Sequence, residues 1–250
     1  MEHTHENAPQ EAHESKEKKE PLSLQHALLW NAAIIGASVI IGACIVSGVS
    51  FGGPRTADDG APKAAVVDIK DVTVEGEPFI GNPAAPAVMA YWSDFQCPYC
   101  KKFETDPFQS VIKEYVATGK LAVVFKDFSF LGPDSDTAAL YARAVWELYP
   151  EQYFPWREAM YAAQDEENGG FGDEASVLKL TGTIAGIDAA KVKAQAAAKH
   201  DVYMQAIAAG REEGVKLGLT GTPSVVVGKQ LIGGFNSYDV YKKAIQAAVK

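Results

Sequence analysis

The amino-acid sequence predicts an α/β fold in which a block of helices interrupts a small β-sheet domain. Short apolar runs typical of buried strands occur on both sides of a long helical stretch. A Cys-x-x-Cys motif stands directly after one of these runs, and the chain closes on a strand–turn–strand–helix pattern. We therefore expect the order β-β-α-β, then helices, then β-β-α over residues 65–250, with a helical insertion at about residues 134–217.

The first half of this domain contains three predicted strands and one bent helix. Ala65–Val74 alternates between apolar and polar residues, which favours a strand, whereas Ala87–Trp92 and Leu121–Phe125 are apolar runs suited to buried strands. A helix is expected to begin at the cysteine motif. Pro107 should kink this helix because proline lacks the backbone N–H that a helix interior uses.

The insertion is expected to be helical almost throughout. Asp134 and Ser135 have side chains able to cap its first helix. The glycine-rich segment 168–172 should interrupt the helices, and Asp173 should start the next one.

The C-terminal pattern predicts a hairpin followed by a helix. Ser224–Val227 and Gln230–Ile232 flank Gly228-Lys229, and a two-residue turn that opens with glycine is typical of a tight hairpin. The last helix should start at Ser237 and bury an apolar face formed by Val240, Tyr241, Ile245 and Ala248.

Three segments precede this domain. Residues 1–26 are polar and cannot bury a core, so they are predicted to be a disordered tail, and their histidines are interpreted as solvated, with metal binding as the alternative. Residues 27–51 are apolar and uncharged and long enough to span a bilayer, which needs about 20 residues. Residues 52–64 are expected to form a flexible linker. The lysines of the tail favour a cytoplasmic N-terminus, which would place residues 65–250 on the extracytoplasmic side of the cell membrane.

Cys44 lies inside the apolar segment and offers a second interpretation. Ile41-Gly42-Ala43-Cys44 is similar to a lipobox, in which the cysteine is lipidated after cleavage of a signal peptide. The apolar run continues for seven residues beyond Cys44, and the segment before it is long for a signal peptide, so an uncleaved anchor is favoured. Both alternatives tether the rest of the chain outside the cytoplasm.

Charge and cysteine content argue against two broad classes of protein. The net charge of −9 disfavours nucleic-acid binding, which requires a basic surface. The chain has three cysteines, too few for a small scaffold held by several disulfides. The close pair, Cys97 and Cys100, therefore points to chemistry.

Such a pair can be half of a zinc site, a structural disulfide or a redox centre. Zinc normally takes four protein ligands, and after Cys100 the globular part offers only His200 and no further cysteine. A disulfide between residues three apart closes a very small loop and gains little chain entropy. The position of the pair, after a strand and at the start of a helix, favours the redox centre, so we expect neither a metal nor a cofactor.

The residues of the motif fit a helix N-terminus. Pro98 suits the first helical position, where no backbone N–H is needed. Cys97 would then lie where unpaired N–H groups and the helix dipole stabilise a thiolate. We expect Cys97 to be the attacking and leaving sulfur. Cys100, one turn further on, should be the shielded thiol that resolves the mixed disulfide.

A second motif lies far downstream, at Gly221-Thr222-Pro223, just before an apolar strand. Together with the segment around the cysteine pair, it resembles the DsbA-like thioredoxin proteins, and most closely their membrane-anchored bacterial type. The resemblance covers about residues 76–249 and is carried above all by Ser93-Asp94-Phe95-Gln96-Cys97-Pro98-Tyr99-Cys100 and Gly221-Thr222-Pro223-Ser224.

This resemblance implies a thioredoxin-like fold with a helical insertion and the activity of a protein disulfide oxidoreductase. It implies that Pro223 is cis and lies against Cys97, and that Thr222 presents backbone groups to an extended substrate peptide. The implied substrates are reduced exported proteins. The implied partner is a membrane protein of the DsbB or VKOR type that reoxidises the enzyme.

Two departures from the family pattern concern the redox properties. Strongly oxidising members carry His where this chain has Tyr99, and a Pro-Tyr pair such as Pro98-Tyr99 also occurs in glutaredoxins, so we expect a reduction potential between about −230 and −120 mV. Many thioredoxin-fold enzymes also bury an acid six residues before the first cysteine, where this chain has Tyr91. We interpret Asp94 as a surface or turn residue rather than as a substitute for that acid.

The function favoured by the sequence is the introduction of disulfides into exported proteins. One alternative is a disulfide reductase or isomerase of the same fold. A different class of function, a metal-binding or metallochaperone module that uses the cysteine pair as ligands, is the third alternative.

Overall fold

The computed structural model describes residues 67–167 and 169–249. The predicted tail, anchor and linker at residues 1–26, 27–51 and 52–64 lie outside the described residues, as does Cys44. Within the described ranges, no helix has both the length and the apolar character that crossing a membrane requires.

A mixed β-sheet forms the centre of the described domain. Its strands are arranged in the order β1-β3-β2-β4-β5, and β2 and β3 pair in parallel while the other neighbours are antiparallel. The strands are β1 (Phe79–Ile80), β2 (Ala87–Ser93), β3 (Leu121–Asp127), β4 (Ser224–Val227) and β5 (Gln230–Gly233).

Helices follow the cysteine motif, fill the insertion and close the chain. They are α1 (Pro98–Thr105), α2 (Pro107–Val111, continued by a π-helical turn at Ile112–Val116), α3 (Pro133–Leu148), α4 (Pro150–Ala163), α5 (Glu174–Thr181), α6 (Ala189–Ala198), α7 (His200–Lys216) and α8 (Tyr238–Ala248). Asp173 caps α5 by accepting from the backbone N–H of Ser176, as the sequence predicts. The predicted bend at Pro107, the hairpin and the helical insertion are likewise confirmed.

Both faces of the sheet are covered, which explains why β2 is an uninterrupted apolar run. Met89 and Tyr91 point into a large cluster formed with α1, α2, α4 and α8. Ala90 and Trp92 point to the opposite face, where they join a smaller cluster with Phe128. The strand therefore enters the cysteine motif from a position fixed on both sides.

The predicted strand at Ala65–Val74 is wrong for the described residues 67–74. They contain a 3-10 turn at Ile69–Asp71 instead. The carboxylate of Asp68 accepts a hydrogen bond from the N–H of Lys70 at 3.1 Å, and this local bond favours a turn over an extended ladder.

Two details of the predicted helices are also wrong. Helix α3 starts at Pro133, and the residue before it is Gly132, whose φ of 117° is a conformation that glycine adopts readily. Asp134 and Ser135 therefore lie inside the first turn of the helix and do not cap it. In α8 the buried stripe runs through Tyr241, Ala244 and Ile245, and Val240 at its edge is 41% exposed.

Candidate active site

The turn that leads from β2 to Cys97 is held by Asp94. One carboxylate oxygen accepts from the N–H of Gln96 at 2.8 Å, and the other accepts from the N–H groups of Phe130 and Leu131 at 2.9 and 3.2 Å. The backbone oxygen of Asp94 also accepts from the N–H of Cys97 at 3.1 Å. Asp94 is a turn residue as predicted, but it is 2% exposed rather than on the surface.

Cys97 occupies the N-cap position of α1 without a capping hydrogen bond from its side chain, and Pro98 takes the first helical position as expected. Both cysteines are free thiols in this structure. Cys97 is 4% exposed and Cys100 is completely buried, whereas Pro98 and Tyr99 face solvent. An incoming sulfur can therefore approach Cys97 but not Cys100.

The two thiols have opposite acidities. A hydrogen bond from the Cys100 thiol is the main cause that lowers the pKa of Cys97 to about 6; burial opposes it, and the Thr222 side chain and the N–H groups of Cys100 and Tyr99 add to it. Burial, followed by the same contact with Cys97, raises the pKa of Cys100 well above its usual value. The backbone N–H groups at the helix N-terminus help to lower the pKa of Cys97, as expected, but the Cys100 thiol lowers it more.

The second motif lies against the first, as the resemblance implies. The Thr222–Pro223 peptide bond is cis, and the Thr222 carbonyl oxygen accepts from the Cys97 Sγ at 3.4 Å. This approach follows from the sheet, because β4 pairs antiparallel with β2 and sets Ser224 opposite Trp92. The Thr222 hydroxyl is buried and makes no hydrogen bond of normal length, although it is near enough to Cys97 to lower that thiol's pKa.

Several polar contacts from the insertion were not predicted from the sequence. The Gln164 side chain donates to the carbonyl oxygens of Phe95 and Cys97 at 2.6 and 3.2 Å. The Gln96 side chain donates to the carbonyl oxygen of Phe171 at 2.7 Å. A Cβ at Gly172 would lie 2.2 Å from the Gln96 amide nitrogen, so glycine at this position permits the close approach of Gln96 to the loop between α4 and α5.

A buried ion pair one helical turn beyond Cys100 was also not predicted from the sequence. Arg157 on α4 contacts one oxygen of Glu104 through Nη2 at 2.7 Å and Nε at 2.9 Å. Arg157 also donates to the Ser93 hydroxyl at 2.8 Å, so it joins α1, α4 and the end of β2. Glu104 and Arg157 are 53 positions apart in the sequence, so no local pattern indicates this pairing.

No group of three or more His, Cys, Asp or Glu side chains in residues 67–167 and 169–249 is placed to hold a metal ion. At this site the potential soft-metal ligands are the sulfurs of Cys97 and Cys100.

Residues 73–247 match the profile of the family described as Thioredoxin. The chain belongs to this thioredoxin family. It is 24% identical to disulfide bond formation protein D of Bacillus subtilis, over 71% of this chain and 79% of that protein. It is 25% identical to the probable disulfide bond formation protein D of Bacillus anthracis, over 68% of this chain and 77% of that protein.

Solved structures show the same architecture. Oxidised BdbD from Bacillus subtilis superposes with a TM-score of 0.65 at 22% identity, over 71% of this chain and 95% of that one. The thiol-disulfide exchange protein α-DsbA2 from Wolbachia pipientis gives a TM-score of 0.63 at 26% identity, over 71% and 90%. The predicted thioredoxin-like fold with a helical insertion and the resemblance to DsbA-like oxidoreductases are thereby confirmed, and the class of reaction is thiol–disulfide exchange.

Proposed function

We propose that this protein introduces disulfides into exported proteins, with Cys97 as the exchanging sulfur and Cys100 as the resolving thiol. The observation that carries this proposal is the contrast between the two thiols. The accessible one has a pKa lowered to about 6, and the enclosed one has a raised pKa. A thiolate that is stable near neutral pH is a good leaving group, which favours transfer of the disulfide to a substrate.

The reaction would proceed by two displacements. A substrate thiolate attacks the Sγ of Cys97, the Cys97–Cys100 bond breaks, and Cys100 leaves. A second substrate thiolate then attacks the substrate sulfur of the mixed disulfide, and Cys97 leaves as a thiolate. The substrate gains one disulfide, and the enzyme is left as a dithiol.

The residues around Cys97 would bind and tune this reaction. Thr222 and Pro223 form the wall beside the sulfur, and the Thr222 backbone can pair with an extended peptide as an added short strand. Pro98 and Tyr99 occupy the exposed first turn, so the choice of residue there would set the stability of the thiolate.

A membrane location completes the proposal. The apolar segment 27–51 supports a single-pass anchor, with residues 65–250 on the extracytoplasmic side. The dithiol would be reoxidised there by a membrane protein of the DsbB or VKOR type, the partner that the resemblance to DsbA-like proteins implies, because each catalytic cycle leaves two electrons on the enzyme.

The exchange reaction is tested with the oxidised full-length protein and a reduced, unfolded substrate. The wild type should form substrate disulfides, and Cys97→Ser should abolish the reaction. Cys100→Ser, first converted with oxidised glutathione to a glutathione mixed disulfide at Cys97, should pass this bond to the substrate and accumulate mixed disulfides. Activity in the Cys97→Ser variant would contradict the assigned nucleophile. Trapping the thiols in intact cells tests the direction: a mostly reduced pair would favour the reductase alternative.

The anchor is tested separately by topology. Protease added to spheroplasts should digest residues beyond 52 and leave the first 26 residues protected. Palmitate incorporation that depends on Cys44 would contradict the uncleaved anchor and favour a lipoprotein.

A further inference from the structure

Cys100 must exchange a proton each time the enzyme disulfide opens or closes. Its side chain is completely buried, so bulk water has no direct path to it. Tyr91 stands on β2 beneath the cysteines, and no carboxylate projects from that position. Another group must therefore supply and accept the proton.

Glu104 lies one helical turn beyond Cys100 on α1, on the same face of the helix. Its side chain is buried. Arg157 binds one carboxylate oxygen at 2.7 and 2.9 Å, but the other oxygen, Oε2, is buried and has no hydrogen-bond partner. A buried oxygen of this kind is rare in native proteins and calls for an explanation.

The Tyr91 hydroxyl is a second buried polar group without a normal hydrogen bond. Its ring packs on Phe103 with ring centroids 4.7 Å apart, and the guanidinium of Arg157 lies 5.1 Å from the ring centroid. The hydroxyl is close enough to Glu104 to act against the rise that burial causes in the pKa of that carboxyl. Burial is also the main cause that raises the pKa of Tyr91, and Cys100 is the charge that adds most to it. Thus an unpaired hydroxyl and an unpaired carboxylate oxygen share one enclosed site with the resolving thiol.

We propose that Glu104 exchanges protons with Cys100 through the hydroxyl of Tyr91. The inference rests on the function proposed above. When the enzyme disulfide opens, Cys100 leaves as a thiolate; Tyr91 donates its proton to the sulfur and takes one from the carboxyl of Glu104. When the disulfide forms again, Cys100 attacks the Cys97 sulfur of a mixed disulfide, the partner's sulfur leaves with the electron pair, and the proton returns through Tyr91 to Glu104.

The surroundings of the relay are suited to this task. Burial raises the pKa of Glu104, and Arg157 is the main influence against that rise, so the carboxyl holds a proton more readily than an exposed glutamate. The ionisable groups facing Glu104 and Cys100 are Tyr91 on β2, Arg157, Glu158 and Tyr161 on α4, Tyr241 on α8, and Cys97.

The relay is tested by following resolution of a glutathione mixed disulfide at Cys97 in the full-length protein. Rapid mixing of the reduced protein with oxidised glutathione, acid quenching and mass spectrometry give the rate from pH 5 to 9. In Glu104→Gln and Tyr91→Phe, the rate of resolution should be about 10²-fold lower than in the wild type at pH 7. In both variants this rate should increase about tenfold per pH unit, because hydroxide must accept the proton that the relay accepts in the wild type. The matched control is Glu158→Gln, which removes a neighbouring carboxylate and should keep the wild-type profile.

The outcomes separate a relay from a structural role. Tyr91→Phe leaves the Arg157–Glu104 pair intact and removes a hydroxyl without a normal hydrogen bond, so it decides the question if Glu104→Gln does not fold. A wild-type pH profile in either folded variant, or an equal loss of rate at every pH, would overturn the proposal. If the wild type itself neither forms nor resolves the mixed disulfide, the proposed function fails instead.

Discussion

The side-chain amide of Gln164 donates a hydrogen bond to the carbonyl oxygen of Cys97 at 3.2 Å, across 67 positions of the sequence. The same nitrogen lies 2.6 Å from the carbonyl oxygen of Phe95. The backbone oxygen of Gln164 in turn accepts from the Lys101 ammonium at 2.5 Å. The end of α4 is thus joined to both sides of the active-site turn, and the helical insertion holds that turn in place.

Replacing Gln164 with Leu keeps much of its volume and removes both hydrogen bonds. The carbonyl oxygen of Phe95 would lose a partner in a buried site, so the free energy of unfolding should fall by about 1–3 kcal/mol. Thiol exchange at Cys97 should slow as the turn loosens. Urea unfolding and single-turnover kinetics measure the two effects. Gln246→Leu, on the exposed face of α8, is the matched control, and equal stability of the two variants would contradict the role assigned to Gln164.

The strands were predictable where burial decides the structure. The run at Ala87–Trp92 is apolar because both faces of β2 are covered, so its composition alone indicates a strand. The segment at Ala65–Val74 alternates apolar and polar residues, but the local bond of the Asp68 carboxylate turns the chain instead. Alternation of apolar and polar residues does not reveal such a competing bond.

The candidate site was predictable only for its two motifs. Cys97 and Thr222 stand in short segments with a recognisable pattern, and the sheet brings them together. Gln164 and the Arg157–Glu104 pair act over 53 to 69 positions, so no periodicity or spacing marks them. These contacts depend on how α4 packs on α1, which is a property of the tertiary structure.

The Cys100 thiol should be the main determinant of the acidity of Cys97. Cys100→Ala removes the hydrogen bond that contributes most to the lowered pKa, so the Cys97 pKa should rise from about 6 towards the ordinary thiol value. Cys100→Ser keeps a donor at the same place and should raise the pKa less. Thiolate absorbance against pH measures both. A Cys97 pKa that stays near 6 in the Ala variant would show that the backbone N–H groups suffice.

The reduction potential should show two slopes against pH. The reduced enzyme loses the Cys97 proton near pH 6, whereas Cys100 keeps its proton well beyond its usual pKa. Each proton taken up with two electrons changes the potential by about 30 mV per pH unit. The potential should therefore fall by about 60 mV per unit below pH 6 and by about 30 mV per unit above it. Equilibration with glutathione or dithiothreitol measures this, and one slope of about 60 mV from pH 5 to 8 would contradict the lowered pKa.

A buried ion network should anchor residues 73–77 to the domain. The Lys126 ammonium lies 2.6 Å from Glu77, 2.9 Å from Glu213 and 2.8 Å from the carbonyl oxygen of Thr73. Lys126→Met would leave the Glu213 carboxylate without this cation, whereas Glu77 would keep Arg143 at 2.7 Å from its other oxygen. The free energy of unfolding should therefore fall by about 3 kcal/mol, the lower end of the range for a broken buried ion pair. Lys216→Met, which removes an exposed pairing with Glu212, should cost less than about 1 kcal/mol.

The effect of Lys126→Met should depend on pH. Although burial raises the pKa of Glu213, hydrogen bonds from the Thr73 N–H and from Lys126 lower it overall. A carboxyl with a lowered pKa stabilises the fold above its ordinary pKa and loses that contribution as the pH falls through the lowered value. The difference between wild type and variant should therefore shrink below about pH 4.3. A difference that stays constant down to pH 3 would contradict the ionic origin.

Residue 99 should tune the reduction potential without controlling the nucleophilicity of Cys97. The Tyr99 side chain is 53% exposed, with the Lys102 ammonium 4.9 Å from its ring centroid, and only its backbone N–H contributes to the thiolate. Tyr99→His introduces a group able to donate a charge-assisted hydrogen bond, worth about 1.5–3 kcal/mol. About 1.4 kcal/mol corresponds to 30 mV for this couple, so the potential should become less negative by some tens of millivolts.

The same interaction should lower the pKa of the Cys97 thiol, because a more stable Cys97 thiolate is favoured both over the neutral thiol and over the disulfide. Glutathione equilibration and thiolate absorbance measure the two in parallel, and Tyr99→Phe, which keeps the ring and adds no donor, should change neither. If the His variant keeps the wild-type potential and pKa, an exposed side chain at this position acts too weakly through solvent to matter. The potential would then depend on Thr222, whose carbonyl and hydroxyl groups flank the Cys97 sulfur.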